Sequence, residues 1–181
     1  MKKLLIISVM VMLVMQSNAQ FTKATLQATG LTCAMCSNAI NKALQKVSFV
    51  ESVKSDIKNS AFDIVFKQSK EVNIDALKIA VEDAGFSVGG LKMTGNFSNV
   101  KVAVDQHVKI GTADFHFIDV ASQTLNGENT ITVVDKNFIP AKQFKKISSS
   151  TKMACVQTGK AAGCCTKDGV PPDARVYHVT I

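Results

Sequence analysis

The chain has 181 residues, with 21 lysines and arginines against 14 aspartates and glutamates, a formal net charge of +7. Apart from Lys142, Lys145 and Lys146 the positive charges are scattered, and with one tyrosine and no tryptophan to stack on bases a nucleic-acid surface is disfavoured. The length suits one large or two small domains.

Lys2 and Lys3 precede an apolar stretch from Leu4 to Met15, followed by the small residues Ser17-Asn18-Ala19. This is the layout of a secretory signal peptide over residues 1–19, with Gln20 as first mature residue. The stretch falls short of the roughly 20 residues a spanning helix needs. No later segment is long and apolar enough to cross a bilayer. The expectation is export to the periplasm of a bacterium, or secretion, with no stable membrane insertion after cleavage. Loss of Lys2 and Lys3 lowers the net charge from +7 to about +5.

From Phe21 to Met93 the pattern reads strand, helix, strand, strand, helix, strand. Ala24, Leu26 and Ala28 alternate with Thr25, Gln27 and Thr29, as on a half-buried strand. After Cys36, Ala39, Ile40, Ala43, Leu44 and Val47 recur at helical spacing. Val53, Ser55 and Ile57 share one strand face, and Phe62, Ile64 and Phe66 alternate clearly, with Lys58-Asn59-Ser60 as the turn between them. Asn73 is a good N-cap for a second helix, Ile74, Leu77, Val81 and Ala84 supply its buried stripe, and Gly85 is placed to end it. Phe86 to Met93 closes the set as a fourth strand.

These elements specify an α+β fold: a ferredoxin-like βαββαβ domain, two helices on a four-stranded antiparallel sheet, over residues 20–94. Gly95-Asn96-Phe97-Ser98-Asn99 reads as a boundary. Beyond it, Val100–Val104, Phe115–Ile118, Thr130–Val134 and Arg175–Ile181 are strand-like, and Asn126-Gly127 is a turn signal. Residues 95–181 are therefore expected to form a small β-rich domain, an open barrel being one arrangement.

Cys33 and Cys36, in the run Gly30-Leu31-Thr32-Cys33-Ala34-Met35-Cys36, carry the clearest chemistry. Two thiols three positions apart, after a strand and before a helix, sit on one loop at the positive end of that helix, where negative charge is favoured. A soft metal ion suits that arrangement. A disulfide and a redox-active pair are the competing readings. Thioredoxin-like sites usually carry an aromatic before the first cysteine and a facing cis-proline, whereas Thr32 precedes Cys33 and no proline occurs before Pro140.

Together with the element order and Glu82-Asp83-Ala84-Gly85-Phe86 near the domain end, this loop resembles the heavy-metal-associated domain. That module occurs in copper chaperones, metal-transporting ATPase N-terminal domains and the periplasmic mercury-binding protein. The resemblance covers roughly Thr22 to Met93. It implies that Cys33 and Cys36 are the two thiolate ligands, and that Leu31, where the family usually has methionine, looks inward to anchor the loop. It further implies that Phe86 lies near the sulfurs, where it would shield them from water or simply pack in the core. Two sulfurs hold Cu(I) nearly linearly and leave room for a partner's thiolate, so ligand exchange between proteins follows. Hg(II), Ag(I) or Zn(II) are further candidates, although zinc carriers often place a carboxylate where this chain has Thr32.

The function expected is an exported soft-metal-ion binding protein, a Cu(I) carrier or scavenger working by thiolate exchange with a protein partner, and not an enzyme. A mercury-binding protein and a thiol–disulfide redox protein are the alternatives. In the second half Cys155, Cys164 and Cys165, with Met153 and His178 as helpers, offer a second soft-metal site, against a disulfide from Cys155 to Cys164 or Cys165. Asp114, His116 and Asp119 read as a solvated sheet face, and His107 as a surface residue. No Ser/His/Asp order, phosphate-cradling glycine loop or zinc-hydrolase helix is present.

Overall fold

The computed structural model describes residues 20–181 apart from Thr32 and Ser69. The expected signal peptide, 1–19, lies outside the described residues. Strand β1 (Gln20–Thr29), helix α1 (Ala34–Gln45), strands β2 (Val50–Asp56) and β3 (Ala61–Phe66), helix α2 (Ile74–Asp83) and strand β4 (Ser87–Val102) follow in order. Then come β5 (Gln106–Ile110), β6 (Ala113–Phe117) and β7 (Gln123–Val133). Three short helices, α3 (Ala141–Ser148), α4 (Cys155–Thr158) and α5 (Gly163–Thr166), precede β8 (Val176–Thr180). No helix among the described residues is long and apolar enough to cross a membrane.

The first six elements form the expected βαββαβ unit, with strands in the order β2-β3-β1-β4. Ile40 and Leu44 of α1 and Ile74, Leu77 and Val81 of α2 bury one stripe each against Leu26, Ile64 and Leu91 of the sheet. The Asn73 side chain accepts the Ala76 N–H at 3.1 Å, and Gly85 follows α2 in the left-handed region at φ +88°. Asn41 of α1 donates to Ser55 Oγ at 2.7 Å, fixing that helix over β2.

The second half departs from expectation. It does not close on a sheet of its own. The described strands make one eight-stranded sheet in the order β2-β3-β1-β4-β7-β8-β6-β5. The segment 95–99, read as a boundary, is strand: β4 runs through it, pairing with β1 from Ser87 to Asn96 and with β7 from Leu91 to Val102. Gly95 is small because the β1 backbone passes close by; a Cβ there would sit 2.6 Å from the Gln20 carbonyl oxygen. Asn126-Gly127 likewise lies inside β7, where Gly127 takes φ +71° opposite an irregularity of β4. Gly95→Ala is therefore expected to lower the unfolding midpoint measurably, whereas alanine at a true linker glycine would be neutral.

Cross-strand register assigns the two faces. Leu26, Leu91, Val133 and Val179 are successive partners across β1, β4, β7 and β8, and all four are buried in the main core under α1 and α2. Phe115, Phe117 and Tyr177 belong to that same core. Strand alternation sends the intervening His116, Ile118, Val176 and His178 to the opposite face. There the chain from Ala141 to Arg175 forms a cover, and Cys155, Val156, Ala161, Cys165 and Val170 build a second, smaller core on Ile118 and Val176.

Arg175 ties the layers together. Its Nε and Nη2 donate to the two Asp75 carboxylate oxygens at 2.9 and 3.1 Å, and Nη2 also donates to Asp135 Oδ2 at 2.8 Å. The guanidinium lies 4.1 Å above the Tyr177 ring, whose hydroxyl donates to Asp75. Burial raises the Asp75 carboxyl, but the hydrogen bonds and charge of Arg175 outweigh it and hold the group below its ordinary value.

Candidate functional site

Cys33 stands as the N-cap residue of α1 in extended conformation, at φ −158° and ψ 165°. Its carbonyl accepts the Cys36 N–H at 3.2 Å and the Ser37 N–H at 3.4 Å, so the first turn folds both cysteines onto one end of the helix. The two Sγ atoms are 3.1 Å apart. No acidic side chain occupies the first turn, and the partial positive charge of the helix terminus faces the sulfurs uncancelled.

Cys33 is exposed, and Met35 beside it is 82% exposed. Leu31 turns inward and packs on the main core. Gly30 adopts φ +85°, and a Cβ there would come 3.9 Å from Phe86 Cδ1, which places the Phe86 ring at the base of the loop. The loop thus has an apolar root and an open, sulfur-bearing tip. With metal–sulfur bonds of about 2.3 Å, two thiolates on opposite sides of one ion stand about 4.6 Å apart. The 3.1 Å pair closes more tightly than that, so linear two-sulfur binding requires the sulfurs to move apart.

None of the five cysteines is in a disulfide. In the second half, Cys155, Cys164 and Cys165 place their sulfurs within 4.8 Å of one another. The proximity required by both sequence readings of this group is met. Cys155 and Cys165 are fully buried, and burial pushes the Cys155 thiol well above the ordinary range. Native alkylation is therefore expected to label Cys33 more than about tenfold faster than Cys155 or Cys165, read by mass spectrometry of the modified peptides. Equal labelling would contradict this placement.

The histidines lie deeper than their sequence context suggests. His107 is buried rather than on the surface, and His116 lies under the second core rather than on a solvated sheet face. His178, read as a helper of the cysteines, is also fully buried. The chain's three histidines are direct cross-strand partners, His107 to His116 and His116 to His178, on β5, β6 and β8. The rings of His107 and His116 stack at 4.6 Å, and His178 meets His116 edge-on at 5.2 Å. Asp168 and Asp135, which touch two of these rings, carried no signal in the sequence. The one available cue was the unbroken Phe115-His116-Phe117-Ile118 run, which marks a strand buried on both faces.

Burial pushes the His116 pKa down to about 4, and the neighbouring His178 and His107 add to the effect, against Asp105. With Cys155 these are the titratable groups facing it. A depressed folded-state value means that the unfolded chain takes up a proton below about 6.5 that the folded chain refuses until about 4. Stability of the metal-free chain is thus expected to fall as pH is lowered through that window. Urea midpoints unchanged between about pH 7 and about pH 5 would contradict it.

The first half has relatives among known proteins. The heavy-metal-associated domain matches residues 25–87. The copper chaperone CopZ of Staphylococcus aureus (strain bovine RF122 / ET3-1) is 30% identical over 63 residues, covering 35% of this chain and 91% of the chaperone. The chain belongs to the heavy-metal-associated domain family. A probable copper-transporting ATPase, HMA5 of Arabidopsis thaliana, is 25% identical over 75 residues; the match covers 41% of this chain but only 7% of the ATPase. Among solved structures, a CopZ metallochaperone aligns with 28% identity and a TM-score of 0.34, covering 37% of this chain and 98% of its own.

Proposed function

We propose that the chain is an exported soft-metal-ion binding protein, a carrier or scavenger of Cu(I), in which Cys33 and Cys36 capture the ion and release it by thiolate exchange. The observation that carries this reading is the pair of sulfurs 3.1 Å apart on the open tip of the α1 N-terminus. Two thiolates leave a soft monovalent ion coordinatively open, unlike the four-ligand closure of a structural zinc site. A third sulfur from a partner can then join before the first leaves. Membership of a family that includes copper chaperones supports the choice of ion. The loop serves binding and transfer, with no chemical conversion assigned to it. The Lys2-Lys3 and Leu4–Met15 pattern supports a periplasmic or secreted location.

Soft thiolates also accept Hg(II) and Ag(I), so the ion is tested by competition. Reduced chain lacking residues 1–19 is titrated anaerobically with Cu(I) against a chromophoric chelator, beside Cys33→Ser/Cys36→Ser. The variant is expected to bind one equivalent fewer. Equal stoichiometry and affinity would overturn the proposal, and displacement of Cu(I) by one equivalent of Hg(II) but not the reverse would move the assignment to mercury.

A further inference from the structure

A second group of soft ligands lies beneath the C-terminal cover. His107, His116 and Cys155 bring one ligand atom each to within 4.8 Å of one another, and all three residues are buried. Cys155 Sγ is 3.7 Å from His116 Nδ1. The sulfurs of Cys164 and Cys165 lie within the same reach of Cys155.

Each imidazole is held by a carboxylate through one nitrogen. Asp168 Oδ2 meets His107 Nδ1 at 2.7 Å, Asp105 Oδ1 meets His116 Nε2 at 3.2 Å, and Asp135 Oδ1 meets His178 Nδ1 at 2.5 Å. Such outer carboxylates fix the tautomer and orientation of metal-ligating histidines. His107 Nε2 and His178 Nε2 are both left buried with no hydrogen-bond partner among the described residues, and His107 is the one within reach of His116 and Cys155. An unpaired ring nitrogen at such depth carries the full desolvation penalty of a lost hydrogen bond. A bound cation would remove that cost; ordinary core packing would select an apolar residue there.

We infer that this chain holds a second, buried copper site, with Cu(I) bound by His107, His116 and Cys155, beside the neighbouring thiols of Cys164 and Cys165. The donors mix imidazole and thiolate, which suits copper. One thiolate and two neutral imidazoles also cancel the charge of a monovalent ion, and a neutral assembly is the least costly to bury. The ion displaces the Cys155 proton, which leaves to solvent; no oxidation or reduction occurs.

The site joins two parts of the molecule. His107 and His116 stand on the sheet strands β5 and β6, whereas Cys155 belongs to the cover, whose α4 and α5 are single turns. Helices so short have little stability of their own. Copper would pin the cover to the sheet. The inference is independent of the Cys33/Cys36 reading and is tested in its absence.

The full chain lacking residues 1–19 and carrying Cys33→Ser/Cys36→Ser is titrated anaerobically with Cu(I) against the same chelator. One equivalent is expected to remain bound, to raise the thermal midpoint, and to protect residues 141–175 from proteolysis. X-ray absorption should show nitrogen and sulfur scatterers together. Adding Cys155→Ser should abolish that equivalent. His107→Gln, whose amide keeps a contact to Asp168, guards against misfolding and should weaken binding about 10–100-fold without lowering the metal-free midpoint. No copper retained by the Cys33→Ser/Cys36→Ser chain, sulfur-only scattering, or undiminished binding by His107→Gln would each overturn the site. Those results leave the exposed pair untouched, just as loss of the exposed equivalent alone leaves this site standing.

Discussion

Replacing Arg175 with alanine is expected to destabilise the chain by about 2–4 kcal/mol, between a solvated pair and a fully buried one, because the Arg175 side chain is 33% exposed while the Asp135 side chain is 4% exposed. The loss exceeds that of a surface bridge because Asp135 is only 3% exposed and cannot turn to water. Asp135 would keep His178 and lose its charge partner, while Asp75 at the head of α2 would lose both of its guanidinium bonds. Arg175→Lys is expected to recover only part of the loss, since an ammonium cannot reproduce the fork that reaches two carboxylates at once. Urea unfolding at neutral pH measures both. A change under about 1 kcal/mol for Arg175→Ala would place this group among solvated surface pairs.

Leu91→Ala is expected to cost about 2–5 kcal/mol, as for other fully buried leucines. The more discriminating result is cooperativity. Leu91 lies between Leu26 of the first half and Val133 of the second, in the row that continues to Val179. Because the two halves share β4 and one apolar core, the substitution should lower a single transition seen alike by α1 and by β8. Two transitions, with only the first moved, would restore the picture of separate domains divided near residue 95.

The first half was legible because its signals are local. Alternation in Ala24–Ala28 and Phe62–Phe66, the Asn73 cap and the Gly85 stop each act within a few residues, and the structure keeps all of them. The Cys33 and Cys36 loop was readable for the same reason. Gly95, Ser98 and Asn99 misled because turn chemistry looks alike whether it bends a chain or eases a close approach between strands. Helix α3 was missed because its apolar stripe is short, Phe144 and Ile147 on the second core, and is set among lysines and serines that read as a polar loop. The histidine row depends on register between strands far apart in the chain, which composition does not encode. His107 and His178 are 71 positions apart, yet each is a cross-strand partner of His116.

Burial also separates the two sulfur groups in kind. Cys33 is exposed at a helix end, so an ion there is within reach of a partner. Cys155 and Cys165 are enclosed, and exchange from them requires the cover to open first. If both proposed sites take copper, fast transfer is expected of the first and retention of the second.

Amide NMR of the reduced chain at saturating Cu(I) tests the role of the exposed pair most directly. The resonances of Gly30, Leu31, Cys33, Ala34, Met35 and Cys36, with Phe86 at the base of the loop, are expected to shift, and Cys33→Ser/Cys36→Ser should leave them where they are in the metal-free chain. Copper taken up in full while those signals stay unmoved in the unaltered protein would contradict the assignment of Cys33 and Cys36 as its ligands.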